Sequence, residues 1–231
     1  MTIDLYEDHT SPLAHPGPVL GSNTPTGRPA MPLTVYGTAA GVVVFLAATI
    51  AVHLARTDLN LLSDPVSRYA LGATGWLMTT AFVAAGLAGL LVVASAQKLS
   101  ITGSVFLTLW AAGAFAGAAF PMDAPGEPAT MSGVIHTGAG FNFVFGIAAA
   151  LLFGRSVKRT GRRAWARPAR VSAWLLTASG ASLVLFMGVL HDLQLGGLAQ
   201  RVYWVAFLAW LIAAQIAITS RPNTPTSDRS A

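Results

Sequence analysis

The chain has 231 residues, of which 54% are hydrophobic and only 10% are Asp, Glu, Lys or Arg, with 14 basic against 9 acidic residues, no cysteine and a pI near 10.2. An average soluble domain is about a quarter charged, so this composition excludes a soluble core, a coiled coil and a disordered chain. The absence of cysteine excludes disulfides, iron–sulfur clusters, thiolate zinc ligands and a cysteine nucleophile, and what remains is an all-α polytopic membrane protein.

Residues 1–31 contain five prolines, many Ser, Thr and Gly and no apolar run, so they bury too little surface to offset the entropy of ordering and read as a disordered tail. Asp4, Glu7 and Asp8 precede the first apolar segment, and that segment is long, the wrong arrangement for a cleavable leader. The first span is therefore expected to be retained. Charge-poor runs follow at about 33–55, 75–97, 101–120, 134–154, 171–190 and 202–220. Each can cross roughly 30 Å of hydrocarbon at 1.5 Å per residue, and a helix is the one single segment that satisfies its own backbone in lipid. The prediction is a six-helix membrane domain over 32–220 and a second disordered tail over 221–231.

Six spans put the tails, the 98–100 turn and the 155–170 loop on one side, and the loops at 56–74, 121–133 and 191–201 on the other. The first side holds eleven Lys and Arg residues; the second holds three, Arg56, Arg68 and Arg201. Positive residues stay inside, so both termini are expected in the cytoplasm and the protein in the cell membrane as a multi-pass protein. Seven of the eleven, Arg155, Lys158, Arg159, Arg162, Arg163, Arg167 and Arg170, share one short loop. That loop explains the basic pI without a nucleic-acid partner and favours contact with anionic membrane lipids. Small-residue faces at Gly113 and Gly117, Gly86 and Gly89, and Gly138 and Gly146 predict close helix packing. No phosphate-binding glycine loop and no pair of interrupted spans of the transporter type is read from the sequence.

The outer side carries most of the polar residues that solubility does not require, in three segments: Leu62-Ser63-Asp64-Pro65-Val66-Ser67-Arg68 running on to Gly75-Trp76, Phe120-Pro121-Met122-Asp123 with His136 beyond it, and His191-Asp192. Each has a plain structural reading. Ser63 or Asp64 ahead of Pro65 suits a helix start, Asp123 can close a turn, and His136 can make an interhelical hydrogen bond. The functional reading makes Asp64, Asp123 and His136 catalytic acid–base groups. Ser63, Arg68, Trp76 and His191 are then the substrate-binding residues, with Arg68 holding an anionic headgroup or serving as counter-ion to Asp64, four residues before it, or to Asp123. His53, His136 and His191 all fall near outer helix ends, which keeps an open zinc site as an alternative. No two of them share the i, i+4 spacing of a strong metal motif, and no cofactor is otherwise called for.

On these segments the chain resembles the bacterial integral membrane family called domain of unknown function 998. The pieces that carry the resemblance are Leu62-Ser63 through Gly75-Trp76-Leu77-Met78, Phe120-Pro121-Met122-Asp123 and His136, within residues 35–220. The resemblance implies a six-helix bundle distantly similar to the FRAG, DRAM and Sfk type of membrane protein, marks Ser63, Asp123 and His136 as its outer polar set, and implies no reaction or cofactor. Residues and resemblance together predict an outward-facing polar cavity for a lipid-like or isoprenoid amphiphile. Its catalytic version is a hydrolase, or a cyclase with Asp64 or Asp123 as a protonated acid and Trp76, Trp110, Tyr203, Trp204 and Trp210 as candidate lining. The alternative is a non-catalytic accessory protein acting on a membrane partner through its small-residue faces. Asp64, Arg68, Asp123 and His136 are predicted to converge on one cavity.

Overall fold

The computed structural model describes residues 31–159 and 163–220, with side chains from Arg167 onward in the second stretch. The predicted tails over 1–31, apart from Met31, and over 221–231, and Arg162, lie outside the described residues. Among those described there is no strand, and the apolar runs form α1 (Leu33–Ala55), α2 (Gly75–Ala96), α3 (Ile101–Ala119), α4 (Met131–Gly140), α5 (Phe143–Arg159), α6 (Arg163–Val184) and α7 (Gly196–Thr219). Helices α4 and α5 together make the fourth apolar segment, and α6 continues through a π-helical turn, Leu185–Val189, to complete the fifth. Six helical segments are therefore long and apolar enough to cross a membrane.

Three boundaries depart from the sequence reading, each for a local reason. The basic 155–170 segment is mostly helical, because α5 runs to Arg159 and α6 begins at Arg163; at the edge of a bilayer a helix keeps its backbone bonds while its charges reach water. Helix α7 begins at Gly196 rather than near 202, since Arg201, read as a loop charge, finds acceptors within the fold. The fourth span, expected from 134, starts at Met131 and is interrupted at Phe141 and Asn142. There the Asn142 side chain donates to the Trp110 carbonyl of α3 at 3.1 Å, and asparagine is a residue whose side chain competes with regular helix bonding.

Ser100 and Thr130 accept from the amides of Gly103 and Gly133, both at 3.2 Å, and so cap the starts of α3 and α4. Between the spans the small-residue faces receive aromatic rings from inside the chain. A Cβ at Gly86 would lie 2.9 Å from the Phe115 ring, at Gly89 3.2 Å from Trp110, and at Gly146 2.7 Å from Phe207. Those rings form the centre of the core: Trp110 stacks on Phe207 with centroids 4.0 Å apart, and Phe45 stacks on Trp204 at 4.5 Å. Near the end of the bundle where the described chain begins and ends, buried Gln215 donates to Thr34 at 2.8 Å and to Ser95 at 2.9 Å. That cluster ties α1, α2 and α7 with side-chain bonds that have no competing water in an apolar interior.

Candidate functional site

At the opposite end of the bundle, the connection between α1 and α2 folds over the start of α7. Pro65 leads into a short 3-10 helix, Val66–Ala70, and Arg201 fastens the connection from below. Its Nη1 donates to the carbonyls of Leu61, Asp64 and Gly197 at 2.8, 2.7 and 2.9 Å, and its Nη2 donates to the Tyr69 hydroxyl at 3.1 Å. The guanidinium also lies 5.4 Å from the centre of the Tyr69 ring. Because Arg201 can only donate, Tyr69 keeps its own proton for Nδ1 of His53, 2.8 Å away. Gly197 permits this seating, since a Cβ there would stand 2.4 Å from the Asp64 carbonyl oxygen. The Leu198 amide reaches the Leu62 carbonyl at 2.9 Å, and Gln200 Oε1 accepts from the Val66 amide. Within the connection, Arg68 pairs with the Asp64 carboxylate, which also accepts from the Asn60 amide at 2.7 Å. Arg56 makes a two-point pair with Asp58 and donates to the Leu71 carbonyl, and that guanidinium holds the Asp58 carboxyl below the usual range.

The connection between α3 and α4 is built around Asp123. Its two carboxylate oxygens accept from the Thr130 hydroxyl at 2.6 Å and the Thr130 amide at 3.0 Å, and these bonds hold the carboxyl below the ordinary aspartate range. Gly133 leaves room for that carboxylate, which a Cβ would overlap. One helical turn on, His136 Nδ1 lies 2.7 Å from the Phe120 carbonyl. A carbonyl only accepts, so the partner assigns the proton to Nδ1 and leaves Nε2 of the neutral ring as an acceptor.

Between these two connections lies a cavity of about 460 Å³, within the usual size of small-molecule sites. It exists because α4 packs chiefly against α3 while the π-helical end of the fifth span packs against α7, so the outer parts of spans four and five diverge. Its apolar walls include Phe82, Ala114, Phe143, Leu183 and Trp204, and its polar members are Ser67, His136, Thr137, Asn142, Gln200 and Tyr203. No Lys, Arg, Asp or Glu lines it. The exposed members of the lining, Phe141 at 64%, Val184 at 52% and Met187 at 46%, stand on spans four and five, so the cavity opens sideways between those helices.

The segments singled out in the sequence thus do border one cavity, through Pro65 and Ser67, Met122 and His136, but the four side chains expected to converge do not. His136 lines the cavity; Asp64 and Arg68 are engaged with each other, and Asp123 with Thr130. Ser63 is outside the lining, Trp76 is 64% exposed at the start of α2, and His191 is exposed beside Asp192 at 2.9 Å. His53, His136 and His191 each go to a different partner, and no group of three His, Asp or Glu among the described residues could hold a metal ion. Of the aromatic candidates, Tyr203 and Trp204 line the cavity, while Trp110 and Trp210 are buried in the core. The sequence reading missed Ser67, Gln200 and Asn142. Only Ser67 carried a signal, its place two residues after Pro65 in a polar segment.

Helices of this length and apolarity, closed over a laterally open cavity, define a polytopic α-helical integral membrane protein. Residues 39–217 match the family described as protein of unknown function (DUF998), and the chain belongs to that family. No curated protein and no solved structure matches it.

Proposed function

We propose that this protein binds a lipid-like amphiphile in the cavity between spans four and five, with the connections at 56–74 and 121–130 facing outward from the cell membrane. The observation that carries this reading is the combination of an apolar chamber of about 460 Å³, a sideways opening between two helices and a short set of polar groups at its loop end. A chamber open to the hydrocarbon admits molecules already dissolved in the bilayer, and its polar end fixes their orientation. The eleven-to-three distribution of Lys and Arg supports the orientation.

Binding accounts for the geometry without a reaction. Acid-initiated cyclisation needs a protonated carboxylic acid facing the substrate, whereas Asp123 is held toward its ionised form and Asp64 is paired with Arg68. His136 is the one titratable residue in the lining apart from Tyr203. Of the small-residue faces on which the accessory reading rested, Gly86, Gly89, Gly113 and Gly146 are filled by side chains of the same protein, while Gly117 is in ordinary contact with His136 and Phe82 and Gly138 has open space beside it.

Gly140 and Gly188 supply the test. Both line the cavity, and a Cβ at either meets nothing within 4 Å. Gly140→Leu or Gly188→Leu should place a side chain in the chamber without displacing protein atoms. Native mass spectrometry of the purified protein should show a co-purifying amphiphile in the wild type and its loss in both variants. Retention of the same bound mass by both variants overturns the reading.

A further inference from the structure

Resting on that reading, we infer that the occupant is a neutral amphiphile, one whose head is an uncharged hydroxyl or carbonyl group, and not a phospholipid held by its phosphate. Among the polar members of the lining, Ser67, Gln200 and His136 each retain hydrogen-bonding capacity, and no Lys, Arg, Asp or Glu lines the cavity. Ser67 is 9% exposed and lines the cavity, and its hydroxyl makes no hydrogen bond among the described residues. Gln200 is fixed beside it, because its Oε1 accepts from the Val66 amide, which leaves its side-chain NH₂ for another partner. His136 holds the Phe120 carbonyl through Nδ1 and retains Nε2 as an acceptor. Ser67 and Gln200 can donate to an uncharged oxygen and His136 Nε2 can accept from a hydroxyl, so the donor and acceptor inventory of the lining matches an alcohol or an acylglycerol.

Phosphate recognition calls for Arg or Lys, or for a group of free amides, and each arginine at this end of the bundle donates to a partner within the protein. Arg68 is on Asp64, Arg56 is on Asp58 and the Leu71 carbonyl, and Arg201 is on three backbone carbonyls and Tyr69. None of the three lines the cavity. The expected role of Arg68 as a headgroup clamp therefore passes to uncharged groups. Below them, Phe82, Leu183 and Trp204 take up the chain, and the gap beside Phe141 and Met187 lets it run out into the bilayer.

The experiment uses the full chain in phosphatidylcholine nanodiscs with a diazirine-bearing diacylglycerol as photoprobe. Oleyl alcohol, 9-octadecene and dioleoylphosphatidylglycerol serve as competitors. Oleyl alcohol should compete about two- to tenfold better than 9-octadecene, the worth of one net hydrogen bond, and the anionic phospholipid should do no better than the alkene. Ser67→Ala removes a hydroxyl with no protein partner, so it should leave thermal stability and competition by the alkene unchanged while shrinking the advantage of the alcohol at least twofold. Equal competition by alcohol and alkene, superior competition by the phospholipid, or an undiminished alcohol advantage in Ser67→Ala overturns the neutral-head assignment. Loss of labelling in Gly188→Leu alongside any of those results leaves the cavity reading standing. Labelling unaffected by Gly188→Leu, or absent in the wild type, overturns both.

Discussion

The wall formed by α1, α2 and α7 and the wall formed by α4, α5 and α6 differ in apolarity and in how their spans are packed and interrupted. In spans two and six, 56% of the most apolar window is buried, against 33% in span one and 28% in spans four and five. The first wall is latched at both ends, by Gln215 with Thr34 and Ser95 and by Arg201 with the 56–74 connection. The second has a helix break, a π-helical turn and glycines with open space beside them. The contrast shows that polarity alone does not mark a site in this protein. Asp64, Arg68 and Arg201 are the most conspicuous polar residues of the chain, and their mutual and backbone bonds make them structural. Ser67, Gln200 and His136 are less conspicuous, and each keeps a donor or acceptor unused. Pi-helical turns are often found at functional sites, and here one forms an edge of the cavity.

The sharpest way to break the comparison is to cut the latch. Arg201→Leu should leave three carbonyls and the Tyr69 hydroxyl short of a donor and lower unfolding stability by on the order of 3 kcal/mol. That loss should appear as a reduced thermal midpoint in detergent and as faster amide exchange across 61–70. A midpoint equal to the wild type would show that the two walls do not differ in this way. On the open wall the expectation is reversed, and Gly140→Leu should shift stability by less than about 0.5 kcal/mol, as surface substitutions commonly do, while displacing the occupant.

Between these extremes lies the cap of α4. Thr130→Ala removes the acceptor for the Gly133 amide and one partner of Asp123, a loss of about 1 kcal/mol for a helix N-cap, with the exchange change confined to α4. The smallest effect is on pH. Asp123 has a lowered carboxyl pKa because Thr130 donates to its ionised form, so its contribution to stability is complete above the ordinary aspartate value of 3.8 and fades as the pH falls below it. Asp58 acts in the same sense through Arg56. The thermal midpoint of Asp123→Asn should therefore depend less on pH between about 5 and 3 than that of the wild type. Parallel curves would remove Asp123 from the cap.

Much of this protein was legible in the order of its residues. Runs of about twenty apolar residues have one way to satisfy their backbone in lipid, so the number and approximate ends of the helices followed from length and hydropathy alone. The pairing of Arg68 with Asp64 followed from i, i+4 spacing, and the DUF998 membership from short motifs that a family comparison bears out. Hydropathy could not say which polar groups would find partners, because that depends on residues far away in sequence. Arg201 reads as a loop charge until the carbonyls of Leu61 and Asp64 are brought to it, 140 and 137 residues away. Asn142 reads as an ordinary polar residue in a span until the Trp110 carbonyl draws its side chain and the helix breaks there. Ser67 is one serine among several in the chain until its place in the lining of the cavity sets it apart. Satisfaction of a hydrogen bond is a property of a pair, and tertiary structure alone decided which polar atoms of this chain were left over at the mouth of the cavity.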